Sequence, residues 1–210
     1  MREILLAHGR VRVVQTERAD GDVGQGWEEL AALGWQQRPV WVRQVHGSAV
    51  VEAACVSSQT EADAIVRRSG SELVAGVRTA DCVPVALVAE NGDAAVVHAG
   101  WPGITKGVVA AAGRALGVHA RWAVIGAHAR ACCYEFLGEP ERAAVRAAIG
   151  DGYFRGAMLD LTAAVRDQLA ALGVEQIVDL GGCTIHEPWW FSWRAEGTAA
   201  RQALLVGPAR

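Results

Sequence analysis

The sequence predicts a mixed α/β sandwich. Strand-like apolar runs come in adjacent pairs, helix-like segments fall between the pairs, and neither G-x-G-x-x-G nor G-x-x-x-x-G-K-[ST] occurs. The last observation removes the sequence support for a doubly wound nucleotide-binding sheet.

Residues 18–26 (RADGDVGQG) are polar and glycine-rich and read as a loop, and residues 27–33 read as a short helix stopped by Gly34. Residues 39–45 (PVWVRQV) read as a strand with Val40, Val42 and Gln44 on one face. His46-Gly47-Ser48 turns the chain, and 49–54 returns as a second strand. Residues 73–78 and 84–89 are further strands flanking the turn Thr79-Ala80-Asp81-Cys82. Asn91-Gly92 between two apolar runs is a strong hairpin signal, because both residues tolerate positive φ; it joins 85–89 to 94–98. Residues 99–103 read as a tight loop, 104–116 as a helix ended by Gly117, and 122–125 as a strand ended by Gly126. Residues 140–149 and 161–172 read as helices, the second capped by Asp160 and closed by Gly173. Residues 176–180 form a late strand, and 181–201 are irregular and rich in Trp and Arg.

The 210 residues suit one domain spanning 1–210, with 51% hydrophobic and 20% charged residues, enough apolar material for a sizeable core. The net charge of −3 and the lack of a Lys/Arg cluster exclude a basic nucleic-acid binder. The apolar stretch at 4–7 is too short for a signal peptide, and no run reaches the length of a membrane span. The expectation is a soluble, cytoplasmic protein without membrane or nucleic-acid partners. Five cysteines, an odd number at irregular spacings without C-x-x-C, read as reduced thiols rather than a disulfide framework.

Three residues carry candidate chemistry. His46 and His98 end predicted strands, and Cys82 sits in the turn before Pro84. Strand ends that open into glycine-rich loops are where a sheet brings distant side chains together at its rim. Their separations are too wide for a zinc finger, so the placement argues more than the spacing. Two imidazoles and a thiolate fit a tetrahedral Zn²⁺ with a fourth position left open, a site that activates water near neutral pH. The same residues leave two other readings open. Cys82 and His98 without metal make a thiolate beside its base. A Cys-His₂ set is also the core of a blue-copper site, which normally wants an axial Met, and Met158 is the only internal one. Taken singly, each residue has an ordinary reading: Cys82 as a small core side chain, the histidines as satisfied polar groups. His8, His119, His128 and His186 keep that reading, and Cys55, Cys132, Cys133 and Cys183 read as core thiols. Asp63 and Asp81 suit turn or cap roles, with ligand orientation as the alternative. Trp189, Trp190 and Trp193 read as packing residues or a pocket wall.

Arg43-Gln44-Val45-His46-Gly47, Ala62-Asp63-Ala64-Ile65-Val66, Thr79-Ala80-Asp81-Cys82-Val83-Pro84 and Val97-His98-Ala99-Gly100-Trp101 follow one another in that order. Ile125-Gly126, Cys133-Tyr134-Glu135, Leu159-Asp160-Leu161 and Phe191-Ser192-Trp193-Arg194 come after them. Together these blocks resemble the laccase-domain, or multicopper polyphenol oxidase-like, family over most of 40–201. The resemblance implies a single-domain α-β-β-α layered sandwich with mixed sheets. It implies that His46, Cys82 and His98 are the metal-binding and catalytic residues, with zinc, or alternatively copper, as the cofactor. It implies a purine nucleoside enzyme that phosphorolyses adenosine, inosine or methylthioadenosine, or deaminates adenosine, with a small nucleoside and phosphate as partners. Arg194 and Arg201 align with the family's tail arginines and are the candidate substrate-binding residues. The older family label, copper-dependent polyphenol oxidase, is the alternative, but six histidines in total are few for a multicopper enzyme.

The chain departs from the family pattern at several places. Pro102 stands for the Arg of HAGWRG, Ala127 for a Pro, Ala195 for the second Arg of a pair, Ala200 for a Gly, and Gly26-Trp27 for Asn-Arg. The loss of cations at Pro102, Ala195 and Trp27 implies weakened or altered phosphorolysis with metal binding retained, or a divergent member that binds metal and nucleoside with little turnover. Arg78 lies near the triad in sequence and is a candidate to compensate.

Overall fold

Every position of the runs at 83–89 and 94–99 is buried, and all but His98 are apolar, because both faces of these strands are covered. The computed structural model describes residues 1–24, 34–35 and 37–209. Its strands in chain order are β1 (Arg2–Leu6), β2 (Val11–Gln15), β3 (Val50–Glu52), β4 (Ala64–Arg67), β5 (Ala75–Thr79), β6 (Val83–Ala89), β7 (Ala94–Ala99), β8 (Ala120–Ile125), β9 (Phe154–Arg155), β10 (Met158–Leu159), β11 (Gln176–Asp179) and β12 (Gln202–Pro208). The helices are α1 (Trp101–Thr105), α2 (Val108–Leu116), α3 (Glu139–Ile149), α4 (Leu161–Ala171) and α5 (Trp193–Glu196).

Two sheets lie face to face. The larger has the order β11-β8-β6-β7-β4-β3 and is mixed: β11/β8 and β3/β4 are parallel, the rest antiparallel. The smaller, β1-β2-β12-β5, is antiparallel throughout. Alternation along each strand divides the core. Ala86, Val88, Val96, Ile65 and Val124 meet Val11, Val13, Val77, Leu204 and Val206 between the sheets. Val83, Val85, Leu87, Val97 and Ile125 face the other way, onto Ile104, Val108, Val109, Leu116, Val165 and Leu169 of the helical layer. The outer face of the small sheet is covered by Val23, Trp35 and Trp41. The helix expected at 27–33, with Trp27, lies outside the described residues.

Several expected elements change in detail. Residues 39–45 are not a strand: this segment makes only isolated bridges, Val40 to Ala75 and Arg43 to Glu61. The 90–93 connection is a hairpin, but only Gly92 adopts positive φ (93°), because three residues rather than two lie within the turn closed by Ala89 N–H to Asp93 C=O (2.9 Å). The expected loop at 99–103 is largely α1, which accepts Pro102 in its first turn, where a missing N–H costs nothing. The expected helix at 104–116 is broken at Gly107 (φ 73°), the residue before α2. Asp160 caps α4 by accepting from Ala163 N–H (2.9 Å), and Gly117 and Gly173 take the left-handed conformation expected of them. Within the tail expected to be irregular, 193–196 is the short helix α5, and past it 202–208 is the strand β12.

Strands β1, β2 and β12 supply three of the four strands of the small sheet, and they place β5 against the large sheet. Gly76 in β5 has a packing reason: a Cβ there would lie 2.5 Å from the Trp41 ring and 2.7 Å from Leu205. Gly76→Ala is expected to lower stability by about 1–3 kcal/mol, read as a shifted urea midpoint, and to disturb the Arg78 guanidinium that lies over the Trp41 ring (4.5 Å).

Candidate metal centre

β4 and β6 begin, and β7 ends, at the same rim of the large sheet, because β7 runs antiparallel to both. Asp63 directly precedes β4, Cys82 directly precedes β6, and His98 is the penultimate residue of β7. Pro84 is the register partner of His98. This topology brings together residues far apart in sequence: the ligand atoms of His46, Cys82 and His98 all lie within 4.8 Å of one another.

Asp63 organises the three. It is fully buried, and its carboxylate accepts from the backbone N–H groups of His46 (3.0 Å), Gly47 (2.6 Å) and Val45 (3.3 Å). Its Oδ1 also lies 2.8 Å from His98 Nδ1, which leaves Nε2 of His98 for a ligand. Burial pushes the Asp63 carboxyl up, but the bonds from His98 and the backbone hold it below its ordinary value. His46 itself sits at φ 55°, a conformation that the three N–H bonds to Asp63 help to hold.

Cys82 Sγ lies 3.8 Å from His46 Nε2, and the two imidazoles meet edge to face at 4.7 Å. Burial raises the Cys82 thiol, but the two histidines outweigh it and bring it down to about 6. Burial lowers His98, and Asp63 and Cys82 outweigh that and raise it to about 9. The metal-free protein therefore carries a thiolate beside an imidazolium, and a bound cation would displace the shared proton. Gly100 leaves room for this: a Cβ there would sit 2.7 Å from the His46 ring and 3.1 Å from Cys82 Sγ.

The three residues open into a cleft of about 730 Å³. Its wall includes Arg43, Arg78, Arg194 and Arg201, and the aromatic rings of Trp101, Tyr134 and Trp193. Arg194 lies over the Tyr134 ring at 4.1 Å and donates to the Glu135 carbonyl. Arg201 donates to the carbonyls of Thr198 (3.0 Å) and Ala200 (2.9 Å). Arg43 is paired with Glu61. Arg78 differs from these: its Nε is buried without a partner among the described residues, and burial lowers its pKa, with Asp22 opposing. The Asp81 carboxylate at the back of the cleft is engaged by Thr184 Oγ1 (2.7 Å), Ser192 Oγ (2.7 Å) and Arg194 N–H (2.8 Å), which ties the Cys82 turn to the tail.

Both candidate substrate residues thus line the cleft, as does Trp193. Trp190 is fully buried and Trp189 is exposed. Pro102, Ala195 and Met158 are not part of the cleft wall. Asp63 orients a candidate ligand, a role the sequence left behind a turn role, while Asp81 keeps a structural one. His128 is a core residue: its ring bonds the Gly126 carbonyl (2.8 Å) and the Thr162 hydroxyl (2.6 Å), and burial pushes it down to about 4. Cys132, Cys133 and Cys183 are not isolated core thiols. Together with His186 they form a second cluster of possible ligands on the same rim.

A family model described as multi-copper polyphenol oxidoreductase laccase matches residues 15–208. The chain belongs to this family. A purine nucleoside phosphorylase of Streptomyces coelicolor is 39% identical over 181 residues, covering 80% of this chain and 74% of the relative. The purine nucleoside phosphorylase YfiH of Shigella flexneri is 31% identical over 195 residues, covering 84% and 76%. A crystal structure of a Neisseria meningitidis protein superposes with a TM-score of 0.82 at 27% identity, over 96% of this chain and 95% of that one. YlmD of Geobacillus stearothermophilus, 21% identical, shares the fold with a TM-score of 0.78 over 95% and 92%. No helix among the described residues of this family member is long and apolar enough to cross a membrane.

Asp63→Ala leaves three backbone N–H groups and the His98 ring without their acceptor. It is expected to cost about 3 kcal/mol or more of stability, measured by denaturant unfolding. In metal-free protein, iodoacetamide labelling of Cys82, mapped by mass spectrometry, is expected to rise with pH around 6, well below an ordinary thiol, because only the thiolate reacts. A divalent ion held by the three residues should suppress the labelling.

Proposed function

We propose that this protein is a zinc-dependent purine nucleoside phosphorylase whose ion is held by His46, Cys82 and His98. The observation that carries the reading is that these three residues open into an arginine-lined cleft of about 730 Å³, within the usual range of roughly 300–1,000 Å³ for small-molecule sites. The donor set supports zinc: one thiolate and two imidazoles leave the fourth tetrahedral position open, as catalytic zinc sites do. When bound, the ion supplies Lewis-acid stabilisation of charge developing at the reacting atoms. The relatives named purine nucleoside phosphorylase, 39% and 31% identical, support the reaction class.

The chain's own residues do the rest. Phosphorolysis joins a phosphate oxygen to ribose C1′ and breaks the glycosidic C–N bond, the bonding pair leaving with the purine. Phosphate must be held close while positive charge builds on the sugar. Arg78, Arg194 and Arg201 face the same space, and guanidinium forks match phosphate oxygens. Arg78, whose Nε has no partner among the described residues, is the strongest anchor. Trp101, Tyr134 and Trp193 offer faces for the purine, and base–aromatic stacking is worth roughly 1–3 kcal/mol. Asp63 fixes the ring of His98. Departures from the family pattern led to an expectation of weakened phosphorolysis. Arg78, Arg194 and Arg201 in the cleft wall support retained phosphate handling instead. Of six histidines, only His46 and His98 line the cleft, which disfavours a multicopper oxidase reading.

Purified protein incubated with inosine or adenosine, with and without phosphate, is expected to release free purine and ribose 1-phosphate only when phosphate is present, as read by HPLC. Cys82→Ala should abolish turnover. Arg78→Met should raise the KM for phosphate roughly 10- to 100-fold, the loss of one charged hydrogen bond. Turnover that survives Cys82→Ala, or free ribose formed without phosphate, overturns the reading.

A further inference from the structure

We propose that Cys132, Cys133, Cys183 and His186 form a second, structural Zn²⁺ site, separate from the cleft. The four ligand atoms lie within 4.8 Å of one another. Cys132 Sγ is 3.7 Å from Cys183 Sγ and 3.7 Å from His186 Nδ1, while Cys133 Sγ is 3.2 Å from Cys132 Sγ and 3.1 Å from His186 Nδ1. Bonds of about 2.3 Å to sulfur and about 2.05 Å to nitrogen, arranged tetrahedrally, place sulfur atoms about 3.8 Å apart and sulfur and nitrogen about 3.5 Å apart. Four of the six separations thus lie within about 0.6 Å of the edges of a zinc tetrahedron, and the other two are under 4.8 Å. Three thiolates and an imidazole complete four-coordination with protein atoms alone, the composition of a closed structural zinc site rather than an open catalytic one.

The fold supplies the convergence. β8 and β11 are parallel neighbours, so both release their loops at the same rim. The pairing continues past the strands through His128 and Cys183, where His128 N–H donates to the Gly182 carbonyl (3.3 Å) and Thr184 N–H to the His128 carbonyl (3.1 Å). Arg130 ties the first loop to Asp179 (2.7 Å) and to the Gly181 carbonyl (3.1 Å). Glu187 accepts from Cys183 N–H (2.7 Å) and fixes the loop that carries Cys183 and His186. Cys183 is buried, whereas Cys132 and His186 are exposed, so an ion can enter from solvent and seat against the buried sulfur. A disulfide accounts for less: its sulfurs sit about 2.05 Å apart, and one bridge would engage two of the four groups and leave a thiol and an imidazole converging on nothing.

The site would brace the catalytic turn. The Ala129 N–H donates to the Asp81 carbonyl (2.9 Å) and Thr184 Oγ1 to the Asp81 carboxylate (2.7 Å), so each zinc-bearing loop holds the residue next to Cys82.

Metal analysis of the protein purified without chelator tests this. Two zinc ions per chain are expected in the wild type, one in Cys82→Ala, and one in Cys132→Ser/Cys183→Ser. Cobalt loaded into Cys82→Ala should show tetrahedral visible bands and a strong thiolate charge-transfer band, both lost in the triple variant. Thiol titration of unfolded, chelated Cys82→Ala should find all four remaining cysteines reduced, a measurement that does not depend on the double variant folding. No zinc in Cys82→Ala, two thiols instead of four, or copper in place of the second zinc overturns the proposal. The two metal readings fail separately: wild type with a single zinc that Cys82→Ala removes sinks the second site alone, and a single zinc that Cys82→Ala retains sinks the cleft site alone.

Discussion

A carboxylate buried without solvent is tolerated only where donors surround it, and Asp63 meets four: three successive backbone N–H groups and one imidazole. The bonds have two consequences that cannot be separated. They hold His46 in a left-handed backbone conformation that a histidine seldom adopts, and they fix which nitrogen of His98 faces the neighbouring thiol. Asp63 also pairs with His98 through its main chain, His98 N–H donating to the Asp63 carbonyl (2.7 Å). The orientation of one imidazole and the position of the other therefore depend on a residue that contributes no ligand atom to the set.

Asp81 plays the corresponding part for Cys82. Its φ of 97° is strained for a residue with a side chain, and two hydroxyls and a backbone N–H occupy its carboxylate. Those donors come from 184–194, the tail that also brings Trp193 and Arg194 to the cleft. The thiol, the cleft wall and the second cysteine cluster are thus parts of one hydrogen-bonded rim. The empty space at Gly100 lets the two ring systems and the sulfur close against one another there.

Much of this was legible in the sequence for physical reasons. Strands 83–89 and 94–99 announce themselves because a strand buried on both faces is apolar nearly throughout, His98 being the exception, and Asp160, Gly117 and Gly173 mark helix ends by chemistry that acts locally. Cys82 and His98 lie at strand ends as read, whereas His46 follows a segment that is no strand and reaches them through its bonds to Asp63; the flanking blocks identified the family. The small sheet was not read: β1 and β2 pair locally as a hairpin, but β12 and β5 join them only through long-range pairing, which no local pattern encodes. The segment at 39–45 alternates like a strand but finds no continuous partner. The cluster of Cys132, Cys133, Cys183 and His186 was hidden for the same reason: some fifty residues separate its halves, and only the parallel pairing of β8 with β11 closes the gap. Arg78 stood out only by its nearness to Cys82 in sequence; its distinction in the fold is a buried nitrogen without a partner among the described residues.

The position of β12 between β2 and β5 bears on how the molecule is made. Val206 pairs with Val13 on one side and Ala75 on the other, so the small sheet closes only when β12 has met strands far earlier in the sequence. Contacts of such long sequence separation carry a large loop-closure cost and slow the search for the native state. The donors that hold Asp81 come from the same late stretch. The turn that carries Cys82 is therefore braced only once residues about a hundred positions further along the sequence have packed against Asp81.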